Sequence, residues 1–92
     1  MTEDDYELVV TPPARRALTD HLPEPVAAAA VEFLVGALVQ SPRRVGKALR
    51  GDLAGLWSAR RGTYRVLYRI QNQDREVVVL RIDHRRDAYR PR

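Results

Sequence analysis

The sequence contains no cysteine, so neither a disulfide framework nor a thiolate metal site can support the fold. Its longest apolar stretch, VAAAAVEFLVGALV, is interrupted by Glu32 and Gly36 and is too short to cross a bilayer. The N-terminal segment MTEDDYE is acidic, whereas a secretory signal begins with a basic region. These absences predict a cytoplasmic protein without a membrane partner. At 92 residues, the chain is expected to form a single domain spanning 1–92.

Several catalytic signatures are also missing. The histidines His21 and His84 have no companions at metal-ligand spacing, so no metal and no cofactor are expected. The segment RRVGKALRG lacks the spacing of a phosphate-binding Walker loop. Ser58 lacks the flanking glycines of a nucleophile elbow. His21 is expected to be a surface residue at the end of the first helix.

The charge is divided unevenly along the chain. Residues 1–41 contain two arginines against seven carboxylates, a balance of −5, whereas residues 42–92 contain fourteen basic residues against five carboxylates, a balance of +9. Such a basic half indicates a polyanionic partner, most commonly nucleic acid. Fifteen of the sixteen basic residues are arginine, whose planar fork binds phosphate. The alternative is that genome composition favours arginine and that the charges are simply solvated.

The apolar periodicity predicts an α+β fold with the order β-α-α-β-β-β. Thr11 can cap the first helix with a proline in its first turn, and Pro42 ends the second helix. The predicted elements are a strand at 6–11, a helical hairpin within 12–41, and strands at 56–61, 64–70 and 76–82. A further short strand is possible at 47–49. The hairpin is expected to pack on one face of a twisted antiparallel sheet, in which the first strand pairs with the last.

The turn at Gly62–Thr63 fixes the register of the first strand pair. Arg60 then lies opposite Arg65, and Arg61 lies opposite Tyr64. Directly opposed side chains share a face, so the Arg60 and Arg65 charges are unfavourably close unless an anion lies between them. A solvated outer face is the alternative.

The second strand pair is expected to complete a phosphate pocket. A four-residue connection at 72–75 places Ile82 opposite Arg65, with His84 on the same face. The chain end then brings Arg85 and Tyr89 towards the arginine pair, while Lys47 and Arg50 border the same concave face. Such a pocket suits RNA cleavage, because RNA supplies its own 2′-OH nucleophile. The enzyme needs only to orient the RNA in line, to neutralise the phosphate oxygens and to transfer protons.

The segment KALRGDLAGLWSARRGTYRVLYRI, followed by VVVLRIDHRRDAYR, resembles the RelE family of bacterial toxins. The resemblance implies two helices on one face of a sheet whose concave face is the active site. It also implies an endoribonuclease that enters the ribosomal A site, next to 16S rRNA, and cuts mRNA. The implied partners are therefore mRNA, the ribosome and a cognate RelB-like antitoxin.

Site residues follow from the resemblance by position. Arg65 matches the arginine that contacts the scissile phosphate, and Arg85 and Tyr89 match residues of the last strand end and tail. The expected catalytic set is Arg65, His84, Arg85, Tyr89 and Lys47, and the expected phosphate-binding set is Arg50, Arg60, Arg61, Arg86 and Arg90.

The general base is left open by the sequence. The best-known family members have alternating lysines on the strand where this chain has Leu56 and Ser58. His84, then Lys47, then Tyr89 are the candidates for proton transfer, because histidine titrates near neutral pH. The alternative function is that of a ParE-like poison of DNA gyrase, which shares the fold and cleaves no RNA. A further alternative is a nucleic-acid-binding or antitoxin-binding module whose active site is degenerate.

Overall fold

The computed structural model describes residues 5–84, which form two helices and one five-stranded sheet. Helix α1 (Pro12–Arg16) continues into a π-helical turn (Ala17–His21), and helix α2 (Glu24–Phe33) continues into a second one (Leu34–Leu38). The strands are β1 (Glu7–Val10), β2 (Lys47–Ala48), β3 (Trp57–Arg61), β4 (Tyr64–Gln71) and β5 (Glu76–His84). No helix within residues 5–84 is long and apolar enough to cross a membrane.

The sheet has the order β1-β5-β4-β3-β2, and the predicted α+β class is confirmed. The first strand pairs with the last one, as expected. However, β1 runs parallel to β5, so the sheet is mixed, and only the three strand pairs from β2 to β5 are antiparallel. Parallel neighbours need a long connection, and here the whole chain from α1 to β4 provides it.

The core lies between the helices and one face of the sheet. Leu34 and Leu38 are four residues apart in the second helical segment, and both are fully buried against the β4 and β5 side chains Val66 and Val79. Burial of each leucine stabilises the fold by about 1.5–3 kcal/mol. Because both helices cover this face, the opposite face of the sheet is left open for function.

The β4–β5 register differs from the prediction because β5 contains a bulge. Leu67 pairs with Arg81 and Tyr68 pairs with Val79, which leaves Leu80 without a partner on β4. One extra residue on a bulged strand shifts every later pair by one position and reverses which face its side chains occupy.

Thr11, the residue that follows β1, contacts the bulge directly. Its hydroxyl was expected to cap α1 but makes no capping bond. Instead, Thr11 Oγ1 lies 2.9 Å from the carbonyl oxygen of Val79 and 3.0 Å from that of Leu80, and it shares its proton between them. The hydroxyl thus satisfies carbonyl groups at the point where the ladder is disrupted.

Candidate nucleic-acid interface

The first strand pair has the predicted register, and it places cationic side chains on the open face. Arg60 lies opposite Arg65 in the β3–β4 ladder, and Arg61 lies opposite Tyr64. Lys47 of β2 lies opposite Ser58 of β3. Because strand side chains alternate, Lys47, Ser58, Arg60 and Arg65 all point away from the helices.

These side chains line a groove of about 640 Å³ between the open face and the loop that precedes β2. The lining residues are Arg44, Val45, Gly46, Lys47, Leu49, Ser58, Arg60 and Arg65. Among the described residues, the lining therefore contains four cations and no carboxylate. Within residues 5–84, none of the four cationic side chains makes a hydrogen bond or an ion pair.

The opposed pair Arg60 and Arg65 determines what the groove can bind. Directly opposed residues have Cβ atoms about 4.5–5.5 Å apart, so their two positive charges repel each other. A phosphate between them reverses this repulsion, because each guanidinium can donate two parallel N–H bonds to an oxyanion. We therefore describe the surface formed by the eight lining residues as the phosphate groove.

The loop that brings Arg44 and Lys47 to the phosphate groove is fixed by Tyr68. The Tyr68 hydroxyl, fully buried, donates a 2.6 Å hydrogen bond to the carbonyl oxygen of Pro42. Burial raises the pKa of Tyr68 to about 12, and the positive charge of Arg61 offsets this only partly. The phenol therefore stays protonated and remains a donor.

Gly46 allows the loop to approach this hydroxyl. A Cβ atom at position 46 would lie 2.2 Å from the Tyr68 hydroxyl oxygen and 2.9 Å from the Ser58 carbonyl oxygen. Only glycine fits this contact without displacement of the loop. On the side of the loop away from β3, Arg43 donates hydrogen bonds to the Tyr6 hydroxyl and to the Asn72 side-chain oxygen.

Two predicted phosphate-binding residues lie outside the phosphate groove. Arg61 points to the helix side, where its guanidinium stacks 4.8 Å above the centroid of the Phe33 ring. This position agrees with its pairing to the buried Tyr64, whose pKa is raised by burial and partly lowered by Arg61. Arg50 is exposed just before a 3₁₀ turn (Gly51–Leu53) and is not among the lining residues.

The prediction that Ile82 lies opposite Arg65 is wrong. Because of the bulge, Asp83 lies opposite Arg65, and His84 lies opposite Tyr64 on the face that the helices cover. The expectation that His84 shares a face with Arg65 is therefore wrong as well.

Sequence reasoning missed two residues that the structure adds to this face. Arg44 lines the phosphate groove, and its only signal was the basic pair that precedes VGK. Asp83 stands beside Arg65 but forms an ion pair of 3.0 Å with Arg81. Its position depended on the bulge, for which the β5 sequence gives no signal. The predicted site residues Arg85, Arg86, Tyr89 and Arg90 lie outside the described residues.

Comparison with known proteins shows the family. The family described as "ParE toxin of type II toxin–antitoxin system" matches residues 8–89. Toxin RelG of Mycobacterium tuberculosis is 55% identical over 85 residues, covering 92% of this chain and 97% of the relative. Toxin RelE of the same organism is 47% identical over 91 residues, with coverages of 98% and 93%.

A solved structure agrees with these relatives. A chain of the toxin–antitoxin complex RelBE2 from Mycobacterium tuberculosis superimposes with a TM-score of 0.84 at 54% identity, covering 88% of this chain and 99% of that one. Fold and relatives together define a toxin of a type II toxin–antitoxin system. Within that class the chain belongs to the ParE toxin family, and its relatives place it with the RelE-type toxins.

Proposed function

We propose that this toxin is a metal-independent endoribonuclease that cuts mRNA in the ribosomal A site, beside 16S rRNA, and thereby inhibits translation. The observation that supports this activity best is the opposed pair Arg60 and Arg65 within a groove whose lining, over residues 5–84, has four cations and no carboxylate. Such a groove suits a polyanion better than a neutral or apolar ligand.

The reaction that fits the groove is an in-line displacement within the RNA. The 2′ oxygen attacks the adjacent phosphorus and the bond from phosphorus to the 5′ oxygen breaks, which gives a 2′,3′-cyclic phosphate and a 5′-hydroxyl end. A general base takes the proton of the 2′-OH, and a general acid gives one proton to the departing 5′ oxygen, so the two transfers balance. Arg60 and Arg65 neutralise the non-bridging oxygens, on which charge develops in the transition state.

Proton transfer is assigned to residues other than His84, because the β4–β5 register puts His84 on the helix side. Lys47 lies in the phosphate groove, and its ammonium can donate a hydrogen bond to the departing oxygen. In the sequence, Arg85 is one residue and Tyr89 five residues beyond His84, the last residue of β5, and we propose them as the remaining catalytic residues. Arg86 and Arg90, in the same segment, are proposed to contact RNA phosphates, and so is the exposed Arg50.

The proposed protein partner is a cognate RelB-like antitoxin. The support is the structural match to a chain of the RelBE2 toxin–antitoxin complex of Mycobacterium tuberculosis. An antitoxin that covers the phosphate groove would exclude RNA, and neutralisation of the toxin would follow directly from this contact.

The test is a cleavage assay with purified toxin and ribosomes programmed with a defined mRNA. A chelator lowers the concentration of free divalent metal ions to the minimum at which the ribosome stays assembled. Cuts at the A-site codon that persist at limiting free metal and vanish in Arg65→Ala support the proposal. Intact mRNA, together with inhibition of DNA gyrase supercoiling by the same preparation, would contradict it and favour the gyrase poison.

A further inference from the structure

The open face continues beyond the phosphate groove along β4. This face of β4 carries every second residue of the strand, namely Arg65, Leu67 and Arg69. Arg69 lies opposite Val78 of β5. Four residues of a strand span about 13 Å. Side chains stand roughly perpendicular to a sheet, so the guanidinium groups of Arg65 and Arg69 remain well separated.

Arg69 and Arg81 both lie in this part of the open face, but among residues 5–84 only Arg81 has an ion-pair partner. Arg81, which lies opposite Leu67, is neutralised by its 3.0 Å ion pair with Asp83. Arg69 is exposed, and within residues 5–84 its side chain makes no ion pair and no hydrogen bond. Arg69 is therefore a cation that can bind an anion, and it is separate from the four cations of the phosphate groove.

The residues around Arg69 determine how far a bound polyanion can extend along the open face. Beside it lies an apolar floor, formed by Val78, which is only 7% exposed, and by its parallel partner Val9, which is 37% exposed. Beyond this floor, Glu7 pairs with Glu76, and their two carboxylates make that edge of the sheet acidic. A polyanion that leaves the phosphate groove along β4 thus meets one more cation and then a repulsive end.

We propose that Arg69 forms a second phosphate subsite, which binds the same single-stranded RNA at a phosphate outside the scissile one. The proposal rests on the proposed function, because it takes the phosphate groove as the place where the scissile phosphate lies. Unstacked bases between the two phosphates face Leu67, a partly exposed apolar side chain that a duplex with its bases inside would not contact.

The experiment measures the salt dependence of RNA binding by fluorescence anisotropy. The probe is a labelled single-stranded RNA dodecamer with 2′-O-methyl groups, which cannot be cleaved. Each phosphate contact contributes about 0.7 to the slope of log affinity against log salt for single strands. We expect Arg69→Gln to lower the slope by about this amount and to weaken binding several-fold. Arg16→Gln on the exposed side of α1 is the matched control and should change neither value.

A second probe separates the subsite from a general loss of positive charge. A 2′-O-methyl dinucleotide is too short to reach Arg69 from the phosphate groove, so Arg69→Gln should not alter its affinity. An unchanged slope for the dodecamer in Arg69→Gln, with a lowered slope in Arg65→Gln, overturns the subsite and leaves the proposed function intact. An unchanged slope in Arg65→Gln shows that the phosphate groove does not bind RNA, and the subsite fails together with the proposed function. Thermal melts of each variant confirm that the fold is retained.

Discussion

Asp83 lies directly opposite Arg65 in the β4–β5 ladder, yet its ion pair is with Arg81. The only carboxylate among the opposed neighbours of Arg65 is therefore occupied, and the Arg65 side chain is left to repel Arg60. This arrangement keeps positive charge in the phosphate groove while it limits the charge of the surface around it.

Removal of the Asp83 charge is expected to strengthen RNA binding. Asp83→Asn deletes a negative charge beside Arg65 and releases Arg81, so two positive charges act on the RNA without compensation. We expect a tighter complex with a steeper salt dependence, measured by anisotropy with an uncleavable RNA. Asp74→Asn in the exposed β4–β5 turn is the matched control. Equal effects of the two substitutions would show that only net charge matters.

The neighbouring residues Arg60 and Arg61 should separate binding from stability. Arg60→Ala is expected to weaken RNA binding without loss of stability, because it relieves the repulsion with Arg65. Arg61→Ala is expected to cost about 0.5–1 kcal/mol of unfolding free energy, because it removes the stacking on Phe33, and to leave RNA affinity nearly unchanged. Urea unfolding and anisotropy on both variants provide the measurement. The reverse pattern would contradict the assigned faces.

Gly46 is expected to be intolerant of a methyl group. Gly46→Ala would place a Cβ 2.2 Å from the Tyr68 hydroxyl oxygen, and the loop with Lys47 must move. We expect a loss of about 1–3 kcal/mol in stability and reduced RNA cleavage. Gly36→Ala is the control, since a Cβ added at position 36 meets no atom within 4 Å and alanine favours a helix. The stability of this variant should rise. A Gly46→Ala variant as stable as the wild type would show that the contact is unimportant.

Tyr68 should make the fold sensitive to alkaline pH. Its pKa in the folded protein is about 12, above the ordinary value of about 10 for an unfolded chain. A raised pKa favours the protonated phenol in the folded state, so its contribution is fully present below about pH 10 and is lost as the pH rises to about 12. Tyr68→Phe should lower stability at pH 7 by about 1–3 kcal/mol, because the Pro42 carbonyl loses its donor.

The measurement for Tyr68 is denaturant unfolding at several pH values between 7 and about 12. The difference in stability between wild type and Tyr68→Phe should shrink over the upper part of this range. Tyr6→Phe is the comparison, because Tyr6 is only partly buried and its hydroxyl accepts a bond from Arg43. A difference that stays constant with pH would contradict a raised pKa.

Most of the fold follows from patterns that are local in the sequence. The Gly62–Thr63 turn was sufficient to predict that Arg60 faces Arg65, because a two-residue turn fixes the register of its strands. The bulge at Leu80 could not be predicted, since no pattern within β5 marks it and the Leu80 carbonyl is bonded by the Thr11 hydroxyl, 69 residues away in the chain. The bulge decided whether Asp83 or His84 shares a face with Arg65. The parallel direction of β1 was also out of reach, because no local signal fixes the direction in which an edge strand runs.

The most direct test of the account is the mapping of mRNA 5′ ends by primer extension after controlled expression in cells. Wild type, Arg65→Ala and Arg61→Ala are compared, so that one arginine in the phosphate groove is set against one on the helix side. We predict cuts in register with codons in wild type and in Arg61→Ala, and a loss of about 10²–10³ in cleavage rate in Arg65→Ala. Growth arrest with intact mRNA, or equal cutting by wild type and Arg65→Ala, would contradict the claim that this toxin cleaves RNA in the phosphate groove.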